Sequence, residues 1–598
     1  MNLTAILDDV IAIPAPVRGL AARILGLKRV NALMAAVRPA SEVRSLPERV
    51  LSQLAITYRV GERDLQQIPR NGAVVIVANH PYGILEGAVL AALLPRIRPD
   101  VRFLGNELLS VIPEIKDLLI PVDALSGKPA KQRNSTRLRR AIEFLQTGGC
   151  LVVFPAGEVS HFQFRERAVL DSTWHTAVAR MVETVSRAGT AVSLVPVYIS
   201  GSNSALFQTI GLIHAKLRTM LLVRELLNKR NRLVELRIGS AIASKKLLEI
   251  PTPKERTEYL RWRTYLLAAR PAYKAKTSLP LRRWGRQRPM QAVTSAGNPA
   301  LLAEEVAALS RNQLLTQTAD LEVYVASAPA IPRVLQEIGR LREHTFRRVG
   351  EGTGRPVDVD RFDEEYLHLF AWKPASSEVV GAYRLAGTDM IRDLYTRTLF
   401  NYDDSFLDGI GPALELGRSF VRAEYQRGFA PLLALWKGIG AYVARNPQYR
   451  VLFGPVSISN QYQAISRELM VTFLERYSAL QGWMNLVSTP NPLRKRHGTA
   501  ALPAASLDVE DLSDIVSDLE PTRIGIPVLL RQYLKLGGRL LGFNVDPEFS
   551  DALDGLIVVD LTKTDPRLLE RYLGKAEASE FLKYQKGSHG TQQSICHC

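Results

Sequence analysis

Cysteine is scarce in this sequence, and no long apolar segment is present. Three of the 598 residues are cysteines, Cys150, Cys596 and Cys598, which excludes a disulfide framework and fits a reducing compartment. No apolar run reaches the roughly 18 residues that a bilayer-spanning helix needs. Asp8 and Asp9 precede the first basic residue, the reverse of a secretory signal. We expect neither a signal peptide nor a transmembrane helix.

Motifs of several functional classes are also missing. The sequence has no zinc-finger spacing, no RNA-binding aromatic motif and no basic zipper, so nucleic acid is not an expected partner. The Gly-x-Ser-x-Gly turn of serine hydrolases is absent, and no covalent intermediate on serine is expected. The Cys-His-Cys end of the chain has too few ligands for a zinc site. We therefore expect no metal.

Basic residues, in contrast, are concentrated in one half of the chain. Residues 1–300 carry 44 Lys and Arg against 22 Asp and Glu, a formal charge of +22, whereas residues 301–598 carry 33 against 37. A basic region of this size favours a polyanion, here an anionic membrane surface. The excess peaks between Lys254 and Arg288, where aromatic residues among the arginines suit a headgroup interface. The alternative is a helix end followed by a solvated linker.

Three continuous apolar runs mark the first half of the chain, at residues 73–79, 151–157 and 191–199. Such runs, bounded by turn residues, are typical of strands that are buried on both faces of a sheet. Because stretches with helical spacing lie between them, we predict an α/β domain over residues 1–275. The basic, proline-containing residues 276–310 predict a linker.

The second half has a different pattern. Four short stretches predict strands of a second sheet: 321–328, 378–386, 413–421 and 449–458. Residues 431–446 have the spacing of a helix that follows the third strand. We predict an α+β domain over residues 311–578 and a flexible tail over 579–598.

A histidine and a glutamate form the first candidate site. His80 directly follows the first buried strand, and Glu86 comes six residues later. Pro81, Gly83 and Gly87 favour a tight turn that returns the carboxylate to the imidazole. A carboxylate on one ring nitrogen fixes the tautomer and raises the basicity of the other nitrogen, as removal of a hydroxyl proton requires.

This stretch resembles the first block of the glycerolipid acyltransferase family, of the lysophosphatidic-acid acyltransferase type. Further blocks of that family follow in order along the chain, at 103–109, 118–124, 154–160 and 195–203. The resemblance implies that His80 deprotonates an acceptor hydroxyl, which attacks an acyl thioester, and that Glu86 orients the ring. It implies donor or substrate contacts for four further residues: Asn79, Gly157, Glu158 and Pro196.

The departures from the family pattern are informative. The acid of the first block stands one position further on and is Glu86, and that of the third block is displaced to Glu158. Ala124 occupies the position of the basic residue that binds glycerol phosphate in relatives, where arginine acts as a bidentate clamp. An acceptor without that phosphate is therefore expected, unless Lys131 or Arg133 substitutes. Two other histidines compete for the role of base: His161 in a loop and His175 in a helical stretch.

A second candidate site lies in residues 414–439, a predicted strand, glycine loop and helix. Gly428 lets backbone amides at the helix start approach a pyrophosphate or a phosphopantetheine arm. The pattern Tyr425-x-x-Gly428-x-Ala430 resembles the acyl-thioester loop of the acetyltransferase-like (GNAT) superfamily, with Tyr425 in place of the usual Gln or Arg.

The preceding Glu415-Leu-Gly-Arg418 is similar to acyl-homoserine-lactone synthases and ornithine N-acyltransferases. The resemblance implies that Glu415 accepts the amine proton or holds the acceptor cation, and that Arg418 positions the acyl donor or the acceptor carboxylate. Because side chains alternate along a strand, residues three apart are expected on opposite faces. The alternative for the pair is a salt bridge at the sheet edge.

Together the two halves resemble the bifunctional ornithine-lipid synthases of bacteria. The resemblance implies that the C-terminal domain transfers a 3-hydroxyacyl group from acyl carrier protein to ornithine. The N-terminal domain then esterifies the hydroxyl of lyso-ornithine lipid. No tightly bound cofactor is expected, since the donor is a phosphopantetheine thioester. The enzyme is expected peripherally at the cytoplasmic face of the inner membrane.

Two other functions stay open at this point. One is a 1-acylglycerol-3-phosphate acyltransferase with a degenerate second domain, and the other is a non-enzymatic acyl-carrier or membrane-binding protein. The sequence does not identify the amino-acid head group, the chain length or the oligomeric state. The sequence also does not decide between acyl carrier protein and coenzyme A as the acyl donor, although Tyr425 favours the carrier protein.

Overall fold

The computed structural model describes residues 27–37, 44–122, 127–213, 215–272, 290–318, 320–494 and 507–588. The chain divides into two compact units. The first comprises Met1–Thr277 with Leu502–Gly525, and the second comprises Ser278–Ala501 with Ile526–Cys598. The predicted boundaries place the segment 502–525 in the C-terminal domain. In the structure this segment belongs to the first unit, although most of the second unit precedes it in the chain.

The first unit contains a sheet of eight strands. Its order is β1-β9-β8-β2-β5-β3-β4, with β10 paired to β8. The neighbours from β8 through β4 are parallel, whereas β8 pairs with β9 and β10 antiparallel. The strands, with the hairpin β6–β7, are β1 Thr57–Arg59, β2 Ala73–Ala78, β3 Val101–Asn106, β4 Leu119–Val122, β5 Cys150–Val153, β6 His161–Gln163, β7 Ala168–Leu170, β8 Val192–Ile199, β9 Leu233–Ile238 and β10 Ile242–Ala243.

Strand β2 forms the centre of this unit. All six of its residues are buried, because parallel strands are covered on both faces, and this explains its uninterrupted apolar sequence. The helices before the second unit are α1 Leu27–Val37, α2 Leu46–Gln53, α3 Glu62–Leu65, α4 Leu85–Leu93, α5 Gly127–Gln146, α6 Ala177–Arg187, α7 Ala205–Ile213, α8 Ala215–Leu227, α9 Ser244–Glu249 and α10 Pro253–Leu266. The predicted α/β class is confirmed.

The second unit has its own eight-stranded sheet, in the order β11-β12-β13-β14-β15-β16-β18-β17. Its strands are β11 Leu314–Thr318, β12 Leu321–Ser327, β13 Leu367–Lys373, β14 Glu378–Gly387, β15 Ala413–Val421, β16 Val451–Ile458, β17 Arg539–Asp546 and β18 Ala552–Asp560. All neighbours are antiparallel except β15 and β16. These two pair only from Ala413 to Glu415 and from Val451 to Phe453, and no further ladder pair joins the two strands as described.

The helices of the second unit correct two predictions. They are α11 Pro299–Ala307, α12 Pro332–Arg348, α13 Phe362–Glu365, α14 Asp404–Ile410, α15 Ala430–Arg445, α16 Ala464–Tyr477, α17 Gln481–Met484, α19 Val528–Lys535, α20 Pro566–Leu573 and α21 Lys575–Ser588, whereas α18, Val509–Leu519, belongs to the first unit. The predicted linker 276–310 was too long, because Leu302 and Val306 of α11 pack into the core. The predicted flexible tail is helical up to Ser588, since α21 buries Phe581. Cys596 and Cys598 lie outside the described residues.

The segment 502–525 joins the first unit through buried ion pairs. It contains helix α18, Val509–Leu519. Asp518, near the end of α18, lies 2.8 Å from Arg263 and 2.5 Å from Arg523. Arg523 in turn pairs with Asp64 at 2.8 Å. Removal of any one of these residues would leave its partners buried with an uncompensated charge. Loss of any member of this network should therefore destabilise the first unit strongly.

The same network corrects the interpretation of the basic stretch after Lys254. Arg256, Arg263 and Arg270 are buried, because each pairs with a carboxylate inside the first unit; for Arg270 the partner is Asp64, at 2.7 Å. These three arginines therefore do not form the predicted membrane interface. Most of the stretch that remains, residues 273–289, lies outside the described residues. No helix in the described part of the chain is long and apolar enough to cross a bilayer.

Candidate active sites

The first candidate site forms where β2 ends and α4 begins. His80 Nδ1 lies 2.8 Å from Glu86 Oε1, so the tight turn brings the pair together as the sequence predicts. The same oxygen accepts hydrogen bonds from the backbone N–H groups of Tyr82, at 3.0 Å, and Gly83, at 2.8 Å. The glutamate thus reaches the imidazole from the first turn of α4, one residue later than in the family pattern. Its additional methylene group suits that longer path.

Glycine is required at position 83 of this turn. Its φ of +94° lies in the left-handed region, where side chains are strained. A Cβ atom here would also lie 2.6 Å from Leu222 Cδ2 and 2.8 Å from Val159 Cγ2. Both effects would move the backbone N–H that holds Glu86.

The charge of Glu86 is maintained by its partners. The carboxylate is completely buried, and burial alone would raise its pKa. The charge of His80, together with hydrogen bonds from His80 and the backbone, outweighs that effect and lowers the pKa of Glu86 below its ordinary value. An ionised carboxylate at this position orients the imidazole through Nδ1 and leaves its second nitrogen available to the acceptor.

Asp171 completes the support of His80 and was missed by the sequence prediction. Its Oδ1 accepts hydrogen bonds from His80 N–H, at 3.1 Å, and from Ser160 Oγ, at 2.5 Å, while Oδ2 accepts from Trp174 Nε1 at 2.9 Å. The imidazole ring stacks on Phe154, with 4.4 Å between ring centres. Asp171 lies 91 residues after His80, so no local spacing connects the two.

The other predicted residues of this domain occupy different positions. The side-chain amide of Asn79 donates to and accepts from the backbone of Ile199, at 2.9 and 2.7 Å, and ties β2 to β8. Pro196 is buried within β8. Gly157, with a φ of +69°, and Glu158 lie in the turn after β5. Direct donor or substrate contacts of these four residues stay predictions.

The competing histidines occupy other elements of the first unit. His161 is in β6 rather than in the predicted loop, with its Nε2 3.1 Å from Gln163 Nε2. His175 is exposed and precedes α6, so its predicted helical position was wrong. Ala124 lies outside the described residues, and for Lys131 and Arg133 only the helical backbone is described.

The second candidate site is built around Glu415 on β15. Its Oε2 accepts a hydrogen bond from Tyr366 Oη at 2.8 Å, and its Oε1 accepts from Thr396 N–H at 3.0 Å. The Tyr366 hydroxyl also accepts from Tyr395 N–H at 2.8 Å. Burial raises the pKa of Glu415 to about 7, although the hydrogen bond from Tyr366 opposes this shift. A carboxylate of this pKa can take a proton near neutral pH.

Arg418 is on the same side of this site as Glu415, which corrects the expectation of opposite faces. Between β14 and β15 the register shifts by one residue, and Arg418 has a φ of +48°. This bulge breaks the alternation of side chains along the strand. The Arg418 guanidinium lies 5.0 Å from the Tyr395 ring centre. It pairs with Asp358 at 3.2 Å and with Asp360 at 3.5 Å, rather than with Glu415.

A buried arginine from β14 also borders this site and was missed by the sequence prediction. Arg384 has a completely buried side chain that lies 2.6 Å from Asp360 and 3.3 Å from Asp363. Its guanidinium lies 5.0 Å from the ring centres of both Tyr366 and Tyr395. The acidic run between 358 and 365 was the available sequence signal, because buried carboxylates need cationic partners.

The predicted glycine loop precedes helix α15. Gly428 and Ala430 are exposed, so the backbone at the start of α15 is accessible to a phosphate, although Pro431 supplies no N–H group. Tyr425 donates a hydrogen bond to Glu378, and Lys373 Nζ lies 5.3 Å from its ring centre. Beyond Glu415, β15 has no ladder partner on its β16 side among the described strands. Its backbone there can bind an extended thioester arm.

Comparisons with known proteins identify two acyltransferase-type domains in this chain. Residues 42–272 match the family described as acyltransferase, and residues 341–437 match the acetyltransferase (GNAT) domain. GNAT-type acyltransferases use thioesters of coenzyme A or of an acyl carrier as donors.

Two relatives represent the two kinds of acyl transfer. A glycine N(alpha)-acyltransferase of Bacteroides thetaiotaomicron is 30% identical over 48% of this chain and 94% of its own length. A lyso-glycine lipid O-acyltransferase of Phocaeicola vulgatus is 26% identical over 35% of this chain and 73% of its own length. The chain therefore belongs to the acyltransferase family of these proteins, and combines an acyltransferase domain with a GNAT-type domain.

Proposed function

We propose that this enzyme makes an aminolipid by two successive acyl transfers. The GNAT-type domain acylates the α-amine of an amino acid with a 3-hydroxyacyl group, and the N-terminal domain esterifies the hydroxyl of that lyso-lipid. The observation that carries the proposal is that one chain holds two separate groups whose surroundings suit a base. His80 with Glu86 suits a hydroxyl, and Glu415 with its raised pKa suits an amine.

In the first transfer, Glu415 accepts a proton from the acceptor amine, directly or through water. The amine nitrogen then attacks the thioester carbonyl, so that a C–N bond forms and the C–S bond breaks. The thiolate leaves and takes up this proton from Glu415, which returns the carboxylate to its ionised form. The donor arm would lie along the unpaired edge of β15, with its phosphate at the start of α15, near Gly428 and Ala430.

In the second transfer, His80 Nε2 takes the proton of the lyso-lipid hydroxyl. The hydroxyl oxygen attacks a second acyl thioester, a C–O bond forms and the C–S bond breaks, and the proton passes to the leaving thiolate. Glu86 stabilises the imidazolium that forms between these steps, because its carboxylate stays ionised and in contact with Nδ1.

Ornithine is the head group that we propose for the product. Burial raises the pKa of Asp554 to about 6, and burial with the charge of Asp554 raises the pKa of Glu351 to about 7. Asp554 is paired in register with Ser457 and accepts its hydroxyl hydrogen bond at 2.6 Å. The charge of Arg418 acts on Asp554. An acceptor carboxylate on Arg418 would direct a second ammonium group toward these acids.

Glycine is the alternative head group, because the relatives are named for it. Glycine has no second ammonium group, so the two acceptors predict different results for Asp554→Asn. With ornithine, the KM for the amino acid should rise roughly 10-fold or more, as for the loss of a buried charge pair. With glycine as the natural acceptor, the variant should leave KM unchanged. Glu424→Gln, an exposed change in the same domain, is the matched control.

The lipid products of a bacterium that makes no aminolipid test the proposal directly. Expression of the full chain should give a diacyl aminolipid, identified by mass spectrometry of extracted lipids. His80→Ala should leave the monoacyl lyso-lipid, and Glu415→Gln should remove both forms. His175→Ala and Glu424→Gln should behave as the parent. Phosphatidic acid from lysophosphatidic acid, with no aminolipid, would contradict the proposal.

We propose acyl carrier protein as the donor and an anionic membrane as the site of action. Both follow from the resemblance of the Glu415–Arg418 block and from the basic first half of the chain. Purified enzyme should acylate ornithine faster with 3-hydroxyacyl carrier protein than with the matching coenzyme A ester. Equal rates with the two donors would contradict the assignment of the donor and leave the two-step reaction intact.

A further inference from the structure

An exposed aromatic side chain lies at the tip of the β6–β7 hairpin in the first unit. The side chain of Phe164 is 70% exposed. Arg165, Glu166 and Arg167 follow it and are also exposed. Exposed phenylalanine is unfavourable in water, whereas a phenylalanine flanked by arginines suits the boundary between lipid headgroups and acyl chains.

Both ends of this hairpin are attached to the His80 site. At the first end, Ser160 N–H donates to the His80 carbonyl at 2.8 Å. At the other end, Asp171 accepts hydrogen bonds from His80 N–H and from Ser160 Oγ, at 3.1 and 2.5 Å. The position of the hairpin tip is therefore linked to the position of the base.

An apolar helix lies beside the hairpin. Helix α7 has the sequence ALFQTIGLI, with Gln208 and Thr209 as its only polar residues. Gln208 Oε1 accepts a hydrogen bond from Phe162 N–H at 2.9 Å, and Leu206 is 41% exposed. Phe162 also packs edge-to-face on Phe164, with 5.4 Å between ring centres. The start of α7, which this hydrogen bond ties to the hairpin, thus carries a second exposed apolar side chain, Leu206.

We propose that this surface, formed by Phe164, Arg165, Arg167 and Leu206, is the part of the first unit that inserts into an anionic bilayer. Phe164 and Leu206 enter the interfacial layer, and the two arginines contact lipid phosphates. The positive charge of residues 1–300 supplies long-range attraction to the same surface. The buried arginines of α10 are already paired with carboxylates and do not compete for this role.

The insertion explains how a membrane-resident acceptor reaches His80. This part of the inference rests on the proposed function, because it assumes that the acceptor hydroxyl belongs to a lyso-lipid. A hairpin that is fixed to His80 and seated in the bilayer would hold the base close to the headgroup layer. The acceptor would then enter the site without leaving the membrane.

Vesicle binding of the full-length protein tests the surface without reference to activity. We would compare phosphatidylcholine vesicles with vesicles that also contain phosphatidylglycerol. Phe164→Ala should weaken binding to the anionic vesicles roughly 10-fold, as expected for the loss of one buried aromatic side chain. Phe164→Trp should restore it. Arg165→Ser with Arg167→Ser should reduce the preference for anionic over neutral vesicles.

Met390→Ala is the matched control, because Met390 is 79% exposed and lies in the other unit. It should bind vesicles as the parent does, and all variants should keep the parental melting temperature. Unchanged vesicle binding by Phe164→Ala would overturn the proposal. A higher KM for acyl carrier protein in the arginine variants, with unchanged vesicle binding, would overturn it in favour of a protein-docking surface.

Activity measurements separate this inference from the proposed function. Phe164→Ala should esterify a dispersed short-chain lyso-aminolipid at the parental rate, and a long-chain acceptor in vesicles roughly 10-fold more slowly. Absence of O-acylation in the parental enzyme would contradict the proposed function, while the vesicle-binding result would still decide the insertion. Equal losses on both acceptors would contradict the insertion.

Discussion

Glu86 in the first unit and Glu415 in the second are both fully buried glutamates, yet their pKa values shift in opposite directions. Glu86 contacts an imidazole that can carry positive charge, and its pKa is lowered. Glu415 is held by a tyrosine hydroxyl and a backbone amide, and its pKa is raised to about 7. Burial is common to both, so the immediate partners decide whether the carboxylate supports a base or acts as one.

The largest expected effects come from removing each base. His80→Ala should reduce O-acylation and Glu415→Gln should reduce N-acylation, each by about 100- to 10,000-fold, the usual contribution of a positioned base. Each variant should keep the other activity, because the two proposed bases lie in separate units. Rates with separate amino-acid and lyso-lipid acceptors measure this. Loss of both activities in either variant would contradict the assignment of the two activities to separate units.

The second-largest expected effect is a loss of stability that is confined to the first unit. Asp518→Ala leaves Arg263 and Arg523 buried without their shared carboxylate, and should cost about 3–5 kcal/mol of unfolding free energy in the first unit. Denaturant titration with O-acylation and N-acylation as separate readouts would show this. Glu510→Ala on the same helix should cost less than about 1 kcal/mol. Equal loss of both activities at each denaturant concentration would contradict the assignment of α18 to the first unit.

Glu86→Gln tests whether the charge of the carboxylate matters beyond its position. The amide can still accept hydrogen bonds from Tyr82 and Gly83, but it no longer stabilises an imidazolium. O-acylation should fall roughly 10- to 100-fold with little change in KM. A melting temperature near that of the parent would exclude a folding defect. Parental turnover would show that Glu86 only shapes the turn.

The smallest effect concerns the pH dependence of N-acylation. Glu415 must be ionised to accept a proton, so the rate should rise with pH through about 7. Tyr366→Phe removes a hydrogen bond that lowers the pKa of Glu415 and should move this rise to higher pH. O-acylation should keep the parental pH profile. A rise that stays at the same pH in Tyr366→Phe would argue against Glu415 as the base.

The sequence predicted the first site better than the second for a physical reason. His80 and Glu86 are joined by one turn, so their contact follows from local spacing and glycine geometry. Around Glu415, Tyr366 is 49 residues away and Thr396 is 19 residues away. These contacts depend on strand order, which no local pattern contains. Asp171 was missed in the first site for the same reason.

The strands were predicted more reliably than the unit boundaries. The central strands β2 and β8 have nearly continuous apolar runs, because both of their faces are covered. The bulge at Arg418 and the membership of α18 in the first unit have no comparable pattern in the sequence. Both depend on tertiary pairing: a register shift in one case and buried ion pairs in the other.

A mixing experiment with two single variants tests the central claim most directly. His80→Ala should accumulate lyso-lipid, and Glu415→Gln should consume it, so the two purified variants together should make diacyl aminolipid in vesicles supplied with acyl donor. Neither variant alone should do so, and a mixture of His80→Ala with inactive double variant should stop at the lyso-lipid. If the two single variants together fail while the parental chain is active, the account of two independent sites is contradicted.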